Sequence, residues 1–266
     1  KGGPAATVSS KAVTLLVADF KNEAGDAVFD GALESPFTIA VEGASFISTT
    51  KRGDARKMAA QLQPGATTLD ESLARLVAVR EGINVVVSGS ISAQGGGYKL
   101  GVKAIDGVTG REIATYETDA EDKEAVLKAV GKLAARVRNA LGDTTPESLQ
   151  LAAAETFTAG SLEAARQYAV AQELQWAGKW EEAIRNYSKA VELDAEMGRA
   201  YSGIAALYAN MGRLGDAEKY YKLAFSKIDR MSEREKYRTR GAYYLVFRNP
   251  DRAIEELSEL VKKYPA

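Results

Sequence analysis

The C-terminal half of the chain repeats itself at a fixed distance, and that period restricts its fold more than any other feature. Ala171 and Ala205, Ala183 and Ala217, Tyr187 and Tyr221, and Ala190 and Ala224 all stand 34 residues apart. A third copy follows a two-residue insertion near Met231 and Ser232, with Gly241, Tyr244, Ala253, Leu257 and Pro265 in the corresponding places and Leu260 where a small residue is expected. Self-similarity of this length marks stacked units, each of which buries one face only against its neighbour. Each unit reads as two antiparallel helices. A small residue on one helix meets a small residue on the other, so the backbones approach closely while Tyr or Leu fills the space beside them.

The pattern resembles tetratricopeptide repeats. The residues that carry the resemblance are Ala171, Leu174, Ala183, Tyr187 and Ala190, then Tyr201, Ala205, Tyr208, Ala217, Tyr221 and Ala224. In such a stack the first helix of each pair lines a concave face, and residues there that packing does not consume are available to a protein or peptide. Helical phase selects Tyr168, Gln172, Gln175, Trp176, Arg199, Ser202, Asn210, Glu235 and Arg238 as this groove. Trp176 could anchor an extended peptide, since aromatic and Arg side chains dominate interface energetics; packing against a neighbouring helix is the alternative. Ser202 and Ala206 interrupt any paired Lys, Arg and Asn set, so no clamp for an acidic C-terminus is expected. The last helix before Tyr264-Pro265-Ala266 has no polar cover, which points to further repeats in a longer parent and to self-association through that helix.

Upstream, the signals change to strands. The apolar run 13–20, VTLLVADF, ends in the polar turn KNEAGD and reads as a buried strand. Helical character begins within 30–41, where Pro36 is expected to kink or end it, and 44–48 is a second strand. Residues 54–62 read as a helix stopped by Pro64-Gly65. Thr68 with Glu71 resembles a capping box for the next helix, whose buried face holds Leu69, Leu73, Leu76 and Val77, with Gly82 at its end. Strands over 83–92, 98–106 and 111–118 are separated by glycine-rich turns, the pattern of an antiparallel meander. Val126, Val130, Leu133, Val137 and Leu141 then recur at helical spacing and cover the sheet. The expected architecture is a flexible linker over 1–10 and an α+β domain over 11–142, a mixed sheet with antiparallel meander and flanking helices. A connector over 143–160 leads to an all-α tetratricopeptide solenoid over 161–266.

Composition narrows the chemistry. The chain holds no cysteine and no histidine, which removes disulfides, thiolate nucleophiles, imidazole bases and the usual zinc ligand sets. No metal, no cofactor and no catalytic residue is expected. A formal net charge of −1 gives no field to attract nucleic acid or anionic lipid. No apolar run reaches the roughly 18 residues of a membrane span or holds an intact signal peptide, so no membrane contact is expected. Glu181 and Glu182 lie on an exposed helix surface. Lys51, Arg52, Arg56 and Lys57 read as a solvated basic helix face, and Gly95 to Gly97 as a hairpin loop.

One polar turn remains as a second candidate. Asp19, Asn22 and Asp26 follow the first apolar strand, where α/β sheets place ligand sites, although a solvated turn accounts for them as well. The stretches VTLLVADFKNEAGDAVFDGAL, INVVVSGSIS, GVTGREI and SLEAARQYAVAQEL together resemble the C-terminal sensor regions of bacterial transmembrane serine/threonine protein kinases. The first domain alone resembles TolB-like and curli-secretion-type envelope lipoprotein domains, whose first strand opens into a DFxNxxGD turn; Asp19, Asn22, Gly25 and Asp26 match it. The resemblance implies a binding domain on the extracytoplasmic, periplasmic side of a bacterial membrane, with any kinase domain upstream of Lys1; a cytoplasmic location is the alternative. It transfers no catalytic residue, and a chain without histidine cannot hold an HRD catalytic loop. The function expected is therefore a non-catalytic protein- or peptide-binding sensor or scaffold. The alternatives are a small-molecule receptor using the Asp19–Asp26 turn, or an envelope-assembly protein.

Overall fold

A computed structural model describes residues 12–157 and 159–264 of the chain; the linker expected over 1–10, and Pro265, lie outside them. The first apolar run forms β1 (Val13–Val17), and β2 (Lys21–Glu23) follows within the stretch expected as a polar turn, its backbone pairing with a later strand. Then come α1 (Glu34–Val41), β3 (Ile47–Thr49), α2 (Arg52–Leu62), α3 (Glu71–Glu81), β4 (Val85–Gln94), β5 (Gly97–Asp106), β6 (Glu112–Ala120) and α4 (Val126–Ala140). The sheet runs β3-β1-β4-β5-β6, with β2 also pairing β4. β1 is parallel to β3 and β4, while β4, β5 and β6 form the expected antiparallel meander.

Alternation along the strands divides the core between two faces. Leu15, Val17, Val85, Val87, Leu100, Val102 and Ala104 meet Phe37 and Val41 of α1 and Val130, Leu133 and Val137 of α4. Leu16, Val86 and Ile105 point the other way, onto Ala55 and Ala59 of α2 and Leu73, Val77 and Ala78 of α3. The chain thus leaves β1 over one face through α1 and returns to β4 over the opposite face through α2 and α3. A crevice opens where these connections part, at the carboxyl end of β1.

Three local expectations change. Pro36 neither kinks nor ends α1, because it occupies the first turn, where a helix has no internal acceptor for the missing N–H. The cap of α3 is Asp70, whose side chain accepts the Leu73 N–H at 2.8 Å. Glu71, expected in a capping box, instead accepts from Ser88 Oγ at 2.6 Å and from Lys103 Nζ at 2.9 Å. Leu76 is 55% exposed and lies outside the buried face of α3. Gly82 does close that helix, at φ 71°, the left-handed conformation glycine adopts without strain.

A connecting helix α5 (Glu147–Phe157) leads to three helical hairpins: α6 (Leu162–Trp176) with α7 (Trp180–Leu193), α8 (Gly198–Asn210) with α9 (Leu214–Ser226), and α10 (Glu233–Val246) with α11 (Pro250–Lys263). The alanines of the repeat are at the contacts: Ala171, Ala183, Ala190, Ala205, Ala217, Ala224 and Ala253 are fully buried. In the third hairpin Gly241 takes that place, and a Cβ there would stand 2.8 Å from a Leu257 methyl carbon.

The array is docked on the first domain. Leu162, at the start of α6, joins the core beneath α1 and α4. At the far end of the array, Arg234 of α10 is buried and its Nη2 donates to the Ala44 carbonyl at 3.1 Å and to the Ile47 carbonyl. Between these anchors the concave side faces α1, β3 and α2.

Candidate functional site

The groove residues of the first helices meet different fates. Tyr168, Gln172, Gln175 and Trp176 of α6, with Glu235 and Arg238 of α10, line a cavity of about 620 Å³ whose opposite wall is Thr38 and Ile39 of α1, Glu42 just after it, Thr49 of β3 and Arg52 and Arg56 of α2. The trough is therefore roofed by the chain's own first domain, where an open surface was expected. Arg199 is buried and pairs with Glu235 at 3.4 Å. Ser202 shares a hydrogen bond with Thr239 at 3.2 Å. Asn210 is exposed at the end of α8, away from the cavity lining.

Trp176 lies across Gly53 of α2, where a Cβ would come within 2.2 Å of the indole. Lys51 and Lys57 stand 6.0 and 5.2 Å from its ring centroid, cation–π contacts that pin the ring to the first domain. Tyr168 leans on Tyr187 at 5.5 Å between ring centroids, and burial pushes its hydroxyl pKa up to about 12. Gln172 donates to the Tyr168 hydroxyl at 3.2 Å, and Gln175 accepts from the Tyr187 hydroxyl at 2.8 Å.

The polar turn after β1 divides. Asn22 donates to the Asp26 carbonyl and to Asp30, and its own oxygen accepts the Ala24 N–H. Asp26 accepts the Val28 N–H at 2.9 Å and pairs with Lys123 at 2.6 Å; the Lys123 hydrogen bond, followed by the Val28 N–H, holds its carboxyl below the ordinary range. These two residues build the turn. Asp19 instead enters the crevice at the end of β1. There it accepts the Leu69 N–H at 2.9 Å and pairs with Arg52 at 2.9 Å and Arg56 at 3.2 Å.

Around Asp19 the fold assembles a cluster that the sequence reading did not select. Arg52 and Arg56, one turn apart on α2, were expected on a solvated face and are turned inward. Both reach Glu173 of α6, at 3.4 and 3.2 Å, and Arg52 also lies 3.6 Å from Glu34. Glu34, the first residue of α1, is buried and accepts the Phe20 N–H at 2.8 Å. Burial raises its pKa, outweighing the opposing pull of Arg52 and of the Phe20 N–H. The one available signal was spacing: two arginines at i and i+4 sit on one helix face, but nothing local says whether that face meets solvent or carboxylates.

The Glu34 shift has a measurable consequence. Its folded pKa exceeds the ordinary 4.5, so the folded state holds this proton more tightly than the unfolded chain. Its contribution to stability is complete below about pH 4.5 and is lost as pH rises through the folded value. Glu34→Gln keeps an acceptor for the Phe20 N–H and removes this titration. Urea denaturation across pH 4 to 8 is expected to show the unaltered chain losing stability relative to the variant as pH rises. Parallel curves would refute the assignment.

A TPR repeat family model matches residues 177–212, which span α7 and α8. No curated protein matches the chain. Among solved structures, the LpoB C-terminal domain from Salmonella enterica is similar at 17% identity and TM-score 0.38, over 43% of this chain and 87% of that one. Lipoprotein GNA1162 from Neisseria meningitidis is similar at 16% identity and TM-score 0.36, over 50% and 99%. TolB from Acinetobacter baumannii is similar at 12% identity and TM-score 0.35, over 50% and 29%. The C-terminal half is thus a helical array containing a TPR repeat, preceded by a mixed sheet with flanking helices.

Proposed function

We propose that this chain is a non-catalytic protein-binding module whose partner inserts a short extended segment between the repeat array and the α+β domain. The observation that carries the reading is the shared cavity. Side chains from α6 and α10 converge there with α1 and α2, and Gln172, Gln175 and Arg238 supply polar groups beside the Trp176 and Tyr168 rings. Such a mixture of aromatic anchors and adaptable polar groups suits peptide recognition. Glu173 and Glu235 beside the cavity are held in ion pairs and Glu42 accepts from Thr49, and the chain has neither imidazole nor thiol to act on a substrate.

The test is selection of peptides from a random display library on the whole chain, followed by affinity measurement on Trp176→Ala and Arg238→Ala. Loss of roughly tenfold or more in both variants, about 1.4 kcal/mol each, supports the reading, since truncating an aromatic or Arg anchor at an interface typically costs at least about 1 kcal/mol. Peptides that bind both variants unchanged would place the partner surface elsewhere.

The wider setting, a sensor on the extracytoplasmic side of a bacterial membrane and attached to a serine/threonine kinase, rests on the resemblance carried by residues 13–33, 83–92, 107–113 and 161–174. Among the described residues no helix is long and apolar enough to cross a membrane. The sequence of the full gene product tests this setting through its catalytic motifs and any membrane span.

A further inference from the structure

We propose that the crevice at the carboxyl end of β1 binds a small zwitterion, an α-amino acid, with its carboxylate on Arg52 and Arg56 and its ammonium on Glu34. Two hollows meet at this point. The cavity beneath the repeat array joins a second, more open cleft of about 910 Å³ on the far side, and Gly31, Glu34, Arg52, Arg56 and Glu173 line both. This is also where the sheet's connections diverge.

Hydrogen bonding within the cluster is incomplete in a specific way. The Glu34 side chain is only 4% exposed, yet its Oε2 has no hydrogen-bond partner. Asp19 Oδ1, Arg52 Nη1 and Arg56 Nε are also buried without one. Buried polar atoms are nearly always satisfied, because leaving one unpaired costs about 1–3 kcal/mol and more when it is charged. The cluster therefore offers two acceptors and two donors side by side, and a matching guest presents donors and an acceptor together.

Charge decides which guest. Asp19, Glu34 and Glu173 face Arg52 and Arg56, three carboxylates against two guanidiniums. A bare anion would meet the carboxylates, and a bare cation would meet the guanidiniums. A zwitterion adds no net charge and satisfies both signs, with the planar guanidinium suited to a carboxylate. Ile39, Tyr168 and Trp176 in the adjoining cavity provide an apolar wall for its side chain. A peptide terminus brings only one of the two charges, so the charged cluster selects a free amino acid over a peptide, while the Tyr168 and Trp176 wall is shared with the segment-binding role proposed above.

Titration calorimetry on the whole chain with a panel of L-amino acids tests the assignment. The expected result is saturable binding of at least one apolar amino acid, with its N-acetyl and amide derivatives each weaker by roughly tenfold or more. Glu34→Gln should weaken the free amino acid and leave the N-acetyl derivative unchanged, because that derivative has no ammonium to lose. Absence of binding by every amino acid at millimolar concentration, or blocked derivatives that bind as tightly as the parent, would overturn the proposal. The derivative series is read on the unaltered chain, so it stands even where the variant folds poorly.

Discussion

Tyr187→Ala is expected to lower the stability of the repeat array by about 3–5 kcal/mol, the range for removing a large aromatic side chain from a close-packed core. Tyr187 is 2% exposed. Its ring lies against Tyr168 and over Gly203 of α8, where a Cβ would come within 2.7 Å of the ring. One side chain therefore closes the first hairpin and joins it to the second, and neither α6 nor α8 can move in to fill the gap without bringing its partner. Tyr187→Phe keeps the ring and loses only the hydrogen bond to Gln175, so it should cost about 1 kcal/mol. Urea denaturation of both variants measures the difference. Equal losses would mean that the hydroxyl, and not the packed ring, holds the helices together.

Arg234→Ala is expected to cost about 2–4 kcal/mol and to uncouple the two halves of the molecule. The guanidinium is the donor for two backbone carbonyls of the first domain, at Ala44 and Ile47, and Tyr264 covers it at 4.3 Å from the ring centroid. Without it those carbonyls lose a charged donor in a buried setting, where each such bond contributes about 1.5–3 kcal/mol. Burial holds the Arg234 pKa below its usual value, the expected sign for a cation withdrawn from water. Calorimetry should resolve two unfolding transitions in Arg234→Ala where the unaltered chain shows one. A single transition shifted by less than about 1 °C would mean that Leu162 and the α6 contacts carry the docking alone.

The parts of the fold that were legible in the sequence are those governed by neighbours a few residues apart. The meander showed in the alternation of Leu100, Val102 and Ala104 with Lys99, Gly101 and Lys103, and α4 showed in Val126, Val130, Leu133 and Val137, because each pattern is a face repeated at the period of its own backbone. The misreadings share a cause. Thr68 and Glu71 have capping-box spacing, yet Asp70 is nearer the helix start and Glu71 has a stronger partner in Lys103 across the sheet. Pro36 looked like a breaker because its exact position within the first turn was not fixed by composition.

The candidate site was legible only in fragments. Tyr168, Gln172, Gln175, Trp176, Glu235 and Arg238 were chosen by helical phase, and the same phase brings them to one wall of the cavity. The opposite wall was invisible, because it comes from α1, β3 and α2. Arg52 and Glu173 are 121 residues apart, and Arg234 and Ala44 are 190 apart. No periodicity connects such positions.

The sequence by itself determined that alanines spaced 34 residues apart stack helical hairpins, and that an alternating meander packs a helix on one face, since both follow from the repeat distance of the backbone. Tertiary structure alone decided that the hollow of the array closes over α1 and α2, so that Glu34, Arg52 and Arg56 become the floor of a crevice. Docking depends on the shape and charge of two complete surfaces, and those exist only after each half has folded.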